Sequence, residues 1–276
     1  MKRTLNCKGK LIDLNEPKVM GILNMTPDSF YDKSRISSKD NIIKSTESML
    51  SEGATFIDIG AYSSRPGAKF VSEEEERKRL IPALEIILKE FPDILLSVDT
   101  FRSNIASESI NLGASMINDI SGGDMDSEMF DVVINKQVPY ILMHMRGNPQ
   151  TMSNLNSYNN LIVDIISELQ VKANDLKNRG LNDIIIDPGL GFAKNLFQNY
   201  EIVTKLQSLK CIGHPLLIGA SRKSMIYKLL KCEPKSALNG TTVVNTACLL
   251  NGASILRVHD VKEAVEAIKI TNLLKN

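Results

Sequence analysis

Short apolar runs alternate with longer amphipathic segments along the whole chain. Eight runs read as strands: VMGILN (19–24), FIDIGA (56–61), LLSVDT (95–100), MINDIS (116–121), YILMHM (140–145), DIIIDPG (183–189), PLLIGAS (215–221) and SILRVHD (254–260). Most are continuous rather than alternating, as parallel strands covered on both faces should be. The clearest helical patterns between them span 72–91, 159–179, 196–211 and 261–275, the first opening on Ser72 and Glu75 as a capping box. Gly53, Gly113, Gly180 and Gly252 stand just before the next strand, where a left-handed residue closes a helix. Eight strand–helix units predict an α/β fold, a single (β/α)8 TIM barrel with parallel strands and outer helices. A doubly wound open sheet is the alternative. No linker, low-complexity tract or fixed-period repeat divides the chain. Residues 1–276 therefore read as one domain, with 1–18 an N-terminal extension of it.

Composition narrows the class. At 276 residues and 43% hydrophobic, the chain can bury a substantial core. A net charge of +1, without a long basic tract, points away from nucleic acid. Cysteines at 7, 211, 232 and 248 make no CxxC pair and there are three histidines, so neither a zinc site nor a disulfide framework is expected. The N-terminus lacks the apolar core of a signal peptide, and no apolar run reaches the roughly eighteen residues of a membrane span. The expectation is a cytoplasmic, soluble protein in a reducing compartment, with no membrane partner.

A barrel gathers all eight C-terminal strand ends around one mouth, where catalytic groups sit. Those ends are polar here. They bring Asn24; Ser63, Ser64 and Arg65; Asp99 and Thr100; Asn118 and Asp119; Met143 and His144; Asp187; Ser221 to Ser224; and Arg257, His259 and Asp260. A lone Asp or Asn after a strand usually caps a helix; the whole set, with both charge signs, is more than a scaffold requires. Asp58 lies inside its strand and reads as structural. His144 is as readily a satisfied core histidine as a site residue, and His214, before a proline, reads as structural. Asp99, Asn118, Asp187 and Lys223 could pair with the edge of an amino-pyrimidinone ring. Arg65, Arg257, His259 and a helix starting near 222 form an anion-seeking group suited to phosphate.

The segments GILNMTPDSFYD (21–32), SSRPGA (63–68), SVDT (97–100), INDISGG (117–123), IDPGLGF (186–192), ASRKS (220–224) and RVHDV (257–261), in this order, resemble dihydropteroate synthases. The resemblance implies a TIM-barrel transferase of folate synthesis and a sulfonamide target. It would join 4-aminobenzoate to 7,8-dihydropterin-6-ylmethyl diphosphate with Mg2+, forming dihydropteroate and pyrophosphate, and would act as a homodimer. Asp99, Asn118, Met143, Asp187 and Lys223 would bind the pterin. Asn24, Ser64, Arg65, Arg257 and His259 would bind the diphosphate, Asn24 through Mg2+. Phe30, Pro66, Phe192 and Ser224 would shape the aminobenzoate pocket. Asp99, Lys223, Arg257 and His259 would carry catalysis. Departures are Lys33-Ser34 where the family usually has two glycines, Ser64 where Thr is frequent, and Leu190 in place of an aromatic. The rival functions are a methyl-tetrahydrofolate methyltransferase barrel and a catalytically silent pterin-binding relative.

Overall fold

A computed structural model describes residues 3–25, 35–62 and 70–274. The chain opens with an antiparallel hairpin, β1 (Thr4–Cys7) and β2 (Lys10–Asp13), which the sequence pattern does not announce. Eight parallel strands follow: β3 (Lys18–Asn24), β4 (Phe56–Gly60), β5 (Leu96–Asp99), β6 (Met116–Asp119), β7 (Tyr140–Met143), β8 (Ile184–Asp187), β9 (Leu217–Ile218) and β10 (Ile255–Val258). Their order is β8-β7-β6-β5-β4-β3-β10-β9. A parallel bridge between Ile186 and Leu216 joins the two ends, closing the predicted barrel.

The outer layer comprises α1 (Arg35–Ser51), α2 (Glu73–Glu90), α3 (Ser103–Leu112), α4 (Met129–Lys136), α5 (Leu161–Asn178), α6 (Leu196–Thr204), α7 (Ser224–Tyr227), α8 (Leu238–Leu250) and α9 (Val261–Leu274). The four predicted closing glycines all have positive φ, between +96° and +123°. Ser72 caps α2 by accepting the Glu75 N–H, while the Glu75 carboxylate binds Arg79. The helix expected over 196–211 instead ends at Thr204 and continues as a 3-10 helix over Leu206–Ile212. Leu206, Leu209 and Ile212 recur every three residues, so a three-residue turn stacks all three on the buried side.

The two-residue period of the strands sorts their side chains. Ile57, Val98, Ile117, Leu142, Ile186 and Leu256 turn outward and pack with the helices in the main core. The alternate positions fill the lumen. At its lower end Met20, Phe56, Met116, Ile141, Ile185 and Ile255 cluster with Leu5, Cys7, Ile12 and Leu14, so the hairpin plugs the bottom of the barrel. One pleat higher, the same inward faces present Asp58, Asp99, Asn118, Met143, Asp187 and Arg257. The lumen thus changes from hydrocarbon to charge within one or two residues on most strands.

Leu5 is fully buried in that plug. Leu5→Ala should lower unfolding free energy by about 2–5 kcal/mol, the range for emptying a buried leucine site, measured by urea denaturation.

Candidate active site

Arg257 is the central cation of the mouth. It sits on β10 among apolar neighbours, where an unpaired charge would be costly. Its Nε donates to Asp58 Oδ2 at 2.6 Å and its Nη2 to Asp99 Oδ2 at 2.7 Å. Asn118 Nδ2 donates to the same Asp58 oxygen at 3.0 Å, while Asp58 Oδ1 has no partner among the described residues. Burial works against the Arg257 charge, but Asp58 and Asp99 outweigh it and raise its pKa. Burial also pushes the Asp99 carboxyl upward, against the pull of Arg257 and with the Asp58 charge adding to it. Gly60 stands directly across from Asp99, where a Cβ would lie 3.0 Å from the Asp99 Cβ. The missing side chain leaves Asp99 its place.

Asp187 and Lys223 form the other polar group. Asp187 is buried, and its Oδ1 accepts the Gly189 N–H at 2.7 Å. Burial raises its pKa, with Lys223 opposing. Lys223 donates to the Leu190 carbonyl at 2.5 Å, and its ammonium lies 4.9 Å from the Phe192 ring centroid. Burial lowers Lys223 to about 8, although Asp187 favours its charge. The loop between β8 and α6 turns back on itself, with positive φ at Gly189, Gly191 and Ala193. Met143 and Phe192 meet in an apolar cluster with Phe101, Ile120, Met145 and Met152 beside these charges.

Other predicted positions among the described residues spread around this centre. Asn24 ends β3, half-buried, across from Gly60. His259 follows β10 at the surface; Ser221 Oγ accepts its backbone N–H at 3.2 Å and lies 3.0 Å from its Nδ1. Ser224 begins α7, which spans four residues and is too short to serve as the anion-binding helix expected near 222. Arg222 turns away from the centre, gripping Asp260 at 2.9 and 2.6 Å. Phe30, Ser64, Arg65 and Pro66 lie outside the described residues, as does the segment at 33–34.

The model of the pterin binding enzyme family matches residues 20–259. A Synechocystis dihydropteroate synthase is 42% identical over 259 residues, 93% of this chain and 89% of that protein. The Yersinia pestis dihydropteroate synthase, solved with a sulfonamide drug complex, superposes with a TM-score of 0.92 at 40% identity, covering 99% of both chains. A Xanthomonas albilineans dihydropteroate synthase solved with 4-aminobenzoic acid gives 0.91 at 33% identity, covering 100% of this chain and 99% of that one. The chain belongs to the dihydropteroate synthase family of pterin-binding enzymes.

Within this member of the family, sequence reasoning left out several participants. Asp58 is buried as expected of a structural residue, but its partners are Arg257 and Asn118. The signal was present: opposite charges inside two apolar strands need each other. Asp119 points outward and is spent on structure, accepting from Ser121, Gly123 and the Tyr140 hydroxyl. His144 proves to be a satisfied buried histidine, with Nε2 3.0 Å from Glu168 and Nδ1 3.0 Å from Lys194. One strand position beyond the inward Met143, it faces away from the lumen.

At Gly189 (φ +68°) an added Cβ would lie 2.1 Å from the His144 carbonyl oxygen. Gly189→Ala should destabilise the protein by more than the ~1–2 kcal/mol of a left-handed non-glycine residue, read as a fall in melting temperature. The same change should weaken ligand binding at Asp187.

Proposed function

We propose that this enzyme joins 4-aminobenzoate to 7,8-dihydropterin-6-ylmethyl diphosphate, releasing pyrophosphate and forming 7,8-dihydropteroate for folate synthesis. The observation that carries the assignment is the pairing of Asp58–Arg257–Asp99 with Asp187–Lys223 in one lumen mouth, next to Asn118 and Met143. The pterin presents adjacent N–H donors and a carbonyl along one edge. Asp99, Asn118 and Asp187 offer acceptors to such an edge, and Lys223 a donor. Met143 supplies an apolar contact for the ring. The sulfonamide and 4-aminobenzoic acid bound by the relatives support an aminobenzoate pocket shaped by Phe30, Pro66, Phe192 and Ser224.

The reaction replaces pyrophosphate by an arylamine at an exocyclic methylene. Electron release from the dihydropterin lets the C–O bond break first, so positive charge grows on the ring system. Asp99 would stabilise that charge from a fixed position, where a preorganised anion acts strongly because nothing has to reorient. The leaving diphosphate would meet Arg257 and His259, with Ser64 and Arg65 completing the set. Arg257 spends two of its five N–H groups on Asp58 and Asp99 and retains others for the anion. The arylamine, oriented by its ring and carboxylate, then attacks, and orientation supplies much of the rate.

The described residues contain no group of three or more His, Cys, Asp or Glu side chains that could hold a metal. Mg2+ is commonly held by one or two protein oxygens together with substrate phosphate and water. Asn24 would supply the protein oxygen. Bound there, Mg2+ would neutralise charge on the diphosphate. None of the described helices is long and apolar enough to cross a membrane. Two small, water-soluble substrates support a cytoplasmic location. Exposed apolar side chains on α8 and α9, which pack together, include Val243, Leu250, Ile270 and Leu273; they support a homodimer, testable by light scattering.

Pyrophosphate release from the two substrates, dependent on Mg2+, is the direct test of this function; methyl transfer to a corrinoid without it would overturn the assignment. Asp99→Asn keeps the shape and removes the charge. It should lower kcat by about 10²–10³-fold, the scale of one preorganised electrostatic group, with a smaller loss of pterin binding in calorimetry. Lys223→Ala should weaken pterin binding by ~1.5–3 kcal/mol, the scale of a charged hydrogen bond. The pH profile of kcat/KM should be bell-shaped. Activity rises as Asp99 ionises, above the usual carboxylate range, and falls as Lys223 loses its proton near 8.

A further inference from the structure

Behind the apolar cluster of the mouth lies a chain of charged groups that the reaction above does not use. Lys194 follows the β8–α6 loop and directs its ammonium to three acceptors: the Phe192 carbonyl at 2.8 Å, His144 Nδ1 at 3.0 Å and the His144 carbonyl at 3.5 Å. Three N–H groups meet three acceptors. His144 Nε2 lies 3.0 Å from Glu168 on α5, and Glu168 also binds Arg146. Arg146 stacks on the Tyr158 ring at 4.0 Å and donates to the Ser157 carbonyl at 2.5 Å.

The proton positions along this chain follow from its ends. Hydrogen bonding by His144 holds the Glu168 carboxyl at about 2, so it is an acceptor. Burial lowers His144 to about 4, so the ring is neutral and carries its proton on Nε2, facing Glu168. Nδ1 must then accept from Lys194. Burial lowers Lys194 to about 7; Asp187 and Glu168 favour its charge, while Lys223 and Arg146 oppose it. Charged or neutral, its amine keeps donors for Phe192 and for Nδ1.

Two walls of the mouth hang on this lysine. Phe192 is held directly, through its carbonyl. Met143 immediately precedes His144, which is gripped through both ring and carbonyl. The loop passes so close to the same His144 carbonyl that a Cβ added at Gly189 would lie 2.1 Å from its oxygen. We propose that Lys194 is a positioning residue: by tying the Phe192 carbonyl to His144, it sets the spacing of Phe192 and Met143 around the bound pterin. This inference rests on the pterin-binding function proposed above.

The test is Lys194→Met, compared with wild type by steady-state kinetics, by nitrogen-15 NMR of the three histidines and by methyl NMR of Met143. KM for the dihydropterin diphosphate should rise about tenfold, the scale of a lost charged hydrogen bond, while kcat changes less. Partial unfolding would instead lower kcat alone. The His144 pKa should move upward, because the opposing cation and the donor to Nδ1 are both gone. Should Lys194→Met not fold, Glu168→Ala cuts the same chain at its outer end and should raise the same KM by a smaller factor. A folded variant with KM within about twofold of wild type, no more than a neutral change by the same measure, would overturn the positioning role. Unmoved His144 and Met143 methyl signals in Lys194→Met would overturn it whether or not turnover is found. Absence of pyrophosphate release from wild type would count against the proposed reaction instead.

Discussion

A guanidinium set between two carboxylates is the constraint on which the mouth of this barrel depends. Asp58 and Asp99 lie on neighbouring strands inside one lumen, and two bare carboxylates so placed would repel and desolvate each other. Arg257, arriving from β10, binds both. Removing one member of such a buried set typically costs about 3–5 kcal/mol, because a charge is left without its partner. The three residues therefore hold one another in place. Asp99 is presented at a fixed point before any ligand arrives, which is what an electrostatic catalyst requires.

This arrangement also sets what the mouth can accept. Asp58, Asp99 and Asp187 face Arg257 and Lys223, so inward carboxylates outnumber cations in the described lumen. A ligand edge that brings N–H donors corrects that balance. The two lysines near the β8–α6 loop divide the work. Lys223 is directed at the Leu190 carbonyl beside the lumen, and Lys194 at the Phe192 carbonyl behind it. Alternate carbonyls of one short loop are thus held from opposite sides.

The barrel was legible because its strands are continuous apolar runs and its helices end on glycines that only left-handed backbone explains. The strand-end residues were legible for the same reason: topology alone brings Asp99, Asn118, Asp187, Lys223 and Arg257 together. What local pattern did not disclose depends on distant pairing. Asp58 and Arg257 are 199 residues apart, so neither reveals its partner in its own window. The hairpin of β1 and β2 is short, and its apolar residues gain meaning only as a plug for a lumen formed by later strands. Lys194 looks like an ordinary helix-start lysine until the fold brings His144 within 3.0 Å.

The barrel is not equally strong around its circumference. Strand β9 has only two residues, and the join between it and β8 is a single bridge at Ile186 and Leu216. Asp187 stands just above one side of that seam, and Lys223 on the segment leaving the other. A pterin ring held by both would lie across the gap like a clasp. The substrate would then act as a fastener of the scaffold as well as the material it transforms, and an empty barrel would be the looser one along this line.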